Sequence, residues 1–345
     1  MKSILYWLVS IFSITVIVSS CSDCPPATTD FDKLQQSLNV SPCTNGTFTR
    51  SSSSDNSSDE SSSSDSSSDS AIFLGVGDSG NIVRSADNGS SFDNVTSPTA
   101  NRLRGVAFDN DTFVAVGISG TIVRSTDNGS SWDNATSPTT DILGGVSFGN
   151  DIFVAVGNSG NIVRSTDNGS SFDNVTSPTG NNLSGVTFGN DIFVAVGNSG
   201  TIVRSTDNGA SWDNVTSPTA SNLLGVTFDN DTFVGVGQSG NIVRSTDNGS
   251  SFDNATSPTE NNLWGIEFGN DIFVAVGQSG TIVRSTDNGS SWDNVTSPTG
   301  NNLRGVSFGN DIFLGVGQSG TIVRSTDNGS SFDNATSPTT NNISG

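Results

Sequence analysis

Histidine is absent from this chain, and tyrosine occurs once, at Tyr6. Lysine is confined to Lys2 and Lys33. These gaps remove much catalytic chemistry. A serine triad needs a histidine or a substitute base, and one class of glycosidase uses tyrosine as its nucleophile. Cysteine is limited to Cys21, Cys24 and Cys43, too few for a zinc site when no histidine is available. Nothing in the chain points to a bound cofactor. Basic residues are also scarce: 13 Lys and Arg face 34 Asp and Glu, for a net charge of −21. A nucleic-acid partner needs a basic footprint, so that class of function is excluded.

What is present divides the 345 residues into unequal parts. Residues 1–20 read as a secretory signal: Lys2, an apolar stretch from Ile4 to Val18, then small residues. The apolar run is shorter than the roughly 20 residues that span a bilayer. Its ending, Val18-Ser19-Ser20-Cys21, resembles the bacterial lipobox, whose cysteine is lipidated and becomes the new first residue. That resemblance implies a lipid anchor on Cys21, with export to the cell envelope. Ser22 in place of aspartate favours the outer membrane. Ordinary cleavage near Ser20 is the alternative. Residues 21–50 form a short N-terminal segment in which Cys24 and Cys43 make an even pair, as a disulfide would require, with free thiols as the other reading. Residues 51–70 hold only Ser, Asp, Asn and Glu, so they cannot bury enough surface to offset ordering and are expected to be disordered. As flexible coil, the stretch from Cys21 to the repeats would span about 40 Å.

Residues 71–345 are seven copies of one unit with a 40-residue period and no insertion. Such a unit cannot bury its apolar face alone and needs neighbours. One copy shows the plan. Gly185 to Gly189 alternates apolar and polar residues, as a half-buried strand does. Ile192 to Gly197 is a continuous apolar run of strand length. Thr201 to Ser205 is β-branched, and Ala210 to Thr216 gives a fourth strand. Asn190-Asp191, Asn198-Ser199-Gly200 and Asp207-Asn208-Gly209 supply the turns. Four strands per unit, repeated seven times, predict an all-β fold: a seven-bladed β-propeller of four-stranded antiparallel blades. The aromatic after the third turn alternates: Phe92, Trp132, Phe172, Trp212, Phe252, Trp292, Phe332. These are read as core residues between blades. One blade should lack a full inner strand, because residues 71–98 supply only its other three and Asn341 to Gly345 only a stub.

The segment Ser125-Thr126-Asp127-Asn128-Gly129-Ser130-Ser131-Trp132 resembles the Asp-box, or BNR repeat, with Ser131 where threonine is usual. It recurs in all seven copies, with its aspartate at Asp87, Asp127, Asp167, Asp207, Asp247, Asp287 and Asp327. The longer stretch Val154 to Asp167 is similar to the propellers of the photosystem II stability and assembly factors and their non-photosynthetic relatives. That resemblance implies a non-enzymatic scaffold that binds or helps assemble other proteins. Asp-boxes also occur in sialidases, which makes a carbohydrate-binding or glycoside-hydrolysing propeller the alternative. Against it, the repeats carry no tyrosine and only two glutamates, Glu260 and Glu267. Their arginines recur at one position, from Arg84 to Arg324, as structural residues would. Weak calcium binding at the aspartate turns stays open.

Variation between copies marks where a partner would bind. One variable position precedes the first strand: Arg104, Gly144, Ser184, Leu224, Trp264, Arg304, Ser344. The other lies between the second and third strands, from Asp78 to Gln318. In a four-stranded blade both fall on the face opposite the Asp-box turns. Loops on rigid scaffolds carry function, and Arg and Trp are enriched at binding hot spots. Arg104, Trp264 and Arg304, with Leu224 and Glu260 nearby, are therefore expected to form a recognition patch. Its partner would be a protein or glycan, bound by a monomer that meets the membrane only through its lipid.

Overall fold

The computed structural model describes residues 70–109 and 111–345. The signal, Cys21, the Cys24–Cys43 pair and all but Ser70 of the serine-rich segment lie outside the described residues.

Every repeat folds as a meander of antiparallel strands, and each sheet keeps its strands in chain order. The blade that follows Asp141 is typical. Its strands are Leu143–Gly149, Ile152–Gly157, Ile162–Ser165 and Asp173–Val175. Register is fixed by pairs such as Phe148 with Phe153 and Val154 with Arg164. The second strand is buried along its whole length. A strand sandwiched between two neighbouring blades has both faces covered, which is why it reads as a continuous apolar run rather than an alternating one. The inner strand carries a bulge between Leu143 and Gly145 in this blade. The outer strand is shorter than its sequence suggested. In the copy where Ala210 to Thr216 reads as strand, only Asp213–Val215 pairs. Ser211 is drawn into the turn instead, its N–H and hydroxyl both donating to Asp207 at 2.8 and 2.6 Å.

The apolar clusters sit between blades, not within them. Ile152, Val154 and Val156 of one blade pack with Leu183, Phe193, Val203 and Trp212 of the next. The alternating Phe and Trp residues are all buried there, each worth about 1.5–3 kcal/mol relative to exposure. Where the residue is Trp, its indole N–H has a local acceptor: Trp212 Nε1 donates to the Gly209 carbonyl at 3.1 Å. Phe needs no such partner, so the two alternate without penalty.

Three sets of polar ties join neighbouring blades. Arg124 Nε donates to the Asn168 carbonyl in the next blade at 2.6 Å. The same bond recurs from Arg84 to Asn128 and onward round the ring, ending with Arg324 to Asn88 at 3.0 Å. This is the role of the invariant arginine. On the lower rim, Asn150 Nδ2 donates to Asp191 Oδ1 at 2.9 Å. On the outer edge, Asn214 Nδ2 donates to the Pro178 carbonyl at 3.1 Å.

Closure falls on the blade of Phe73–Val76, Ile82–Ser85 and Asp93–Val95, a three-stranded sheet. Residues 342–345 take the place of the upper half of its inner strand. Val76 N–H donates to the Gly345 carbonyl at 2.8 Å, Ser344 N–H to Val76 at 2.7 Å, and Asp78 N–H to Asn342 at 3.0 Å. Ile343 is fully buried in the cluster that also holds Phe73, Phe92 and Leu314. The stub is thus an ordered, packed element that joins the last copy to the first.

Candidate functional site

The Asp-box aspartates hold their turns. In one copy Asp167 Oδ1 accepts the Ser171 N–H at 3.0 Å and the Ser165 hydroxyl at 2.8 Å, while Oδ2 accepts the Ser171 hydroxyl at 2.6 Å. The Ser165 hydroxyl also accepts the Gly169 N–H at 2.9 Å. Asn168 and Gly169 both have positive φ, 58° and 77°, the left-handed region that Asn tolerates and Gly adopts freely. With both oxygens filled by donors, the carboxylate has little left for a cation. Among the described residues no group of three or more His, Cys, Asp or Glu is placed to hold a metal ion.

These hydrogen bonds favour the charged form. Bonds from Ser131 and Ser125 hold the Asp127 carboxyl down at about 2, and those from Ser91 and Ser85 do the same for Asp87. A depressed carboxylate stabilises the fold above its unfolded pKa, near 3.8, and that contribution is lost as pH falls through the folded value. Because the turn is repeated in every blade, the thermal midpoint should fall steeply between about pH 4 and pH 2. A melting series over that range measures it. A midpoint that stays level to pH 2 would contradict the assigned bonds.

The opposite face carries the candidate site. Each inner strand begins at a mouth of the channel, and the residue at its bulge, between Leu103 and Gly105 in the first full blade, lies on that rim. Arg104, Gly144, Ser184, Leu224, Trp264, Arg304 and Ser344 line a single cavity of about 360 Å³ there, together with Arg102. Ring closure makes a continuous arc of Arg104, Ser344, Arg304, Trp264 and Leu224, since the copies holding Arg104 and Arg304 flank the closing blade. Glu260 stands apart: it is exposed on the connection between blades and does not line this mouth. Of the variable turn, Asn158 and Asn198 reach the lining.

Arg102 escaped the sequence reading. It occupies the column otherwise filled by Ile142, Asn182, Asn222, Asn262, Asn302 and Asn342, so its charge was a usable signal. In most copies the asparagine caps the neighbouring turn, as where Asn182 Oδ1 accepts the Ser159 N–H at 2.8 Å. Arg102 instead forms an ion pair with Asp78 at 2.8 Å and donates to the Ser344 hydroxyl at 3.1 Å. Asp78 also accepts from Asn342 Nδ2 at 2.7 Å.

Three guanidiniums therefore share one carboxylate. The Nε atoms of Arg104 and Arg304 are buried with no hydrogen-bond partner in the protein. Burial pushes the pKa of both guanidiniums down, and the charge of Arg102 pushes it further, with Arg304 adding to the effect on Arg104. Asp78 opposes the shift in each. Arginine keeps its charge in such settings. The mouth is thus a focus of unsatisfied positive charge beside an indole, within a chain whose net charge is −21. It suits a planar anionic group such as a carboxylate, which arginine binds with paired donors.

The arginines of the repeats do not converge as a substrate clamp would require. Each is committed to the asparagine carbonyl of the next blade, as with Arg164 to Asn208 and Arg244 to Asn288.

No family model matches the chain, and no curated protein matches it. Solved structures share its fold. YCF48 bound to D1 peptide superposes with a TM-score of 0.57 at 19% identity, covering 69% of this chain and 81% of that one. YCF48 from Cyanidioschyzon merolae gives 0.56 at 18% identity, covering 71% and 89%. The computationally designed Ika8 protein gives 0.59 at 12% identity, covering 78% and 85%.

Proposed function

We propose that this propeller is a non-enzymatic scaffold that binds a protein partner through the mouth formed by Arg104, Trp264, Arg304 and Leu224, with Arg102 as a fifth contributor. The observation that carries this reading is the cluster of three guanidiniums with one counter-ion, set against an aromatic side chain. Such a surface recognises an acidic segment or a terminal carboxylate, with Trp264 supplying apolar contact. The structural neighbour described as bound to a D1 peptide supports a peptide-binding role for a propeller of this shape. The proposal extends to the setting that the lipobox resemblance implies: export, with a lipid on Cys21 that would bring a monomeric head to its partner at the envelope.

The test is a peptide array of acidic segments, each with a free and an amidated C-terminus, probed with the intact protein. Arg104→Ala and Arg304→Ala should each weaken capture by about 1–3 kcal/mol, or roughly 5- to 150-fold, and binding should fall as salt rises. Capture that survives the double substitution unchanged would refute the assignment.

A further inference from the structure

The channel below the mouth has a different character. Past the glycines that recur from Gly105 to Gly345, it widens into a chamber of about 750 Å³ toward the Asp-box face. Phe108, Phe148, Phe228 and Phe308 contribute to its wall, and Phe108 is 50% exposed. Among the described residues, one ionisable side chain lines the chamber or the constriction above it, Glu267. The matching position in other inner strands holds Ala107, Ser147, Thr187, Thr227 and Ser307, all small and neutral. Glu267 thus departs from its repeat in both size and charge. It is half-buried and faces the channel.

Its partners do not neutralise it. Oε1 accepts the Phe268 N–H at 3.0 Å, and Thr227 on the neighbouring strand gives a further hydrogen bond. The nearest charge that acts on it is another carboxylate, Asp229, and on the other side the matching residue is Ser307. Among the described residues no basic side chain pairs with Glu267; the one ion pair there is Arg102 with Asp78. A carboxylate drawn out of bulk water with no positive partner is costly until a cation joins it. Aromatic faces supply a second attraction for a positive charge, and Phe228 and Phe308 lie on the two strands that flank Glu267. The volume lies within the range that holds a small organic molecule, about 300–1,000 Å³.

We propose that this chamber binds a small organic ammonium ion, its charge paired with Glu267 and its apolar body against the phenylalanines. The site is independent of the arginine mouth, which repels cations. Burial, reinforced by Asp229, pushes the Glu267 carboxyl up to about 7, so the charged partner forms near neutral pH. An alkylammonium keeps its proton across this range, with a pKa of about 10 like that of lysine. Affinity should therefore rise with pH through about 7, as the carboxyl ionises.

The probe is phenethylammonium, with uncharged 2-phenylethanol as control, titrated into the full chain by ligand-observed NMR at pH 5.5 and pH 8. Glu267→Gln preserves shape, and Glu267→Thr installs the residue that two other blades carry, so the fold is retained by at least one of them. At pH 8 the wild type should bind phenethylammonium at least tenfold more tightly than either variant. At pH 5.5 that advantage should shrink several-fold, and 2-phenylethanol should show no dependence on residue 267. Equal affinity in wild type and variants, no binding of the ammonium, or an advantage unchanged between the two pH values would overturn the proposal.

Discussion

Gly157→Val should destabilise the protein by about 3 kcal/mol or more, whereas Gly180→Val should change stability by less than about 0.5 kcal/mol. At Gly157 a β-carbon would lie inside contact distance of the Ile142 carbonyl oxygen, with Leu143 Cα only 3.0 Å away. That carbonyl cannot yield, because it accepts the Asn158 N–H at 2.9 Å and so anchors the interblade connection to the turn. Gly157 itself is extended, with φ near −164°, so the constraint is close approach and not backbone conformation. At Gly180 a β-carbon would meet nothing within 4 Å. Urea denaturation of both variants measures the contrast. Similar midpoints would mean that the connection does not press against the second strand as described.

The same pair of glycines shows how much of the molecule is legible in its sequence. Seven aligned copies act as an internal alignment. Glycine fills the Gly157 column in every copy, from Gly77 to Gly317, whereas the Gly180 column also holds Ala100, Thr140 and Glu260. The strands, their order and the burial of Trp212 and its equivalents follow from spacing that any one copy displays. The mouth residues follow from variation against that constant background. What escaped depends on contacts between copies. Arg124 reads as an invariant strand residue, but its acceptor lies 44 residues away in the next blade. Arg102 meets Asp78 across consecutive copies, as Asn182 meets Ser159, and ring closure brings Ser344 against it. Glu267 drew notice as a glutamate short of a tyrosine partner; its chamber exists only in the assembled ring. Glu260 fell to the opposite error, since nearness to Trp264 in sequence does not place it on the rim.

Closure carries the other large effect. Removal of residues 342–345 deletes the backbone bonds that Val76, Asp78 and Gly317 make to this stub, and it empties the buried site of Ile343. Losing that side chain alone costs about 2–5 kcal/mol by the measure of other core truncations. The inner edge of this blade would then lose its pairing at Val76, Gly77 and Asp78 as well, leaving the whole edge open to association with other chains. The copies bearing Arg104 and Arg304 would no longer be held on either side of one blade, and the shared mouth would come apart. The truncated chain should therefore lose peptide capture as well as stability, although neither arginine has been touched.

Amide hydrogen exchange in the intact protein probes this closure residue by residue. Asp78 and Ile118 occupy the same place in their repeats; Asp78 N–H donates across the closure to Asn342 at 3.0 Å, and Ile118 N–H donates to Arg102 at 3.0 Å. In a closed ring Val76 and Asp78 exchange as slowly as Val116 and Ile118, with protection of about 10³-fold or more. Rapid exchange at Val76 and Asp78 beside slow exchange at Val116 and Ile118 would show an open ring, and with it no common mouth for Arg104 and Arg304.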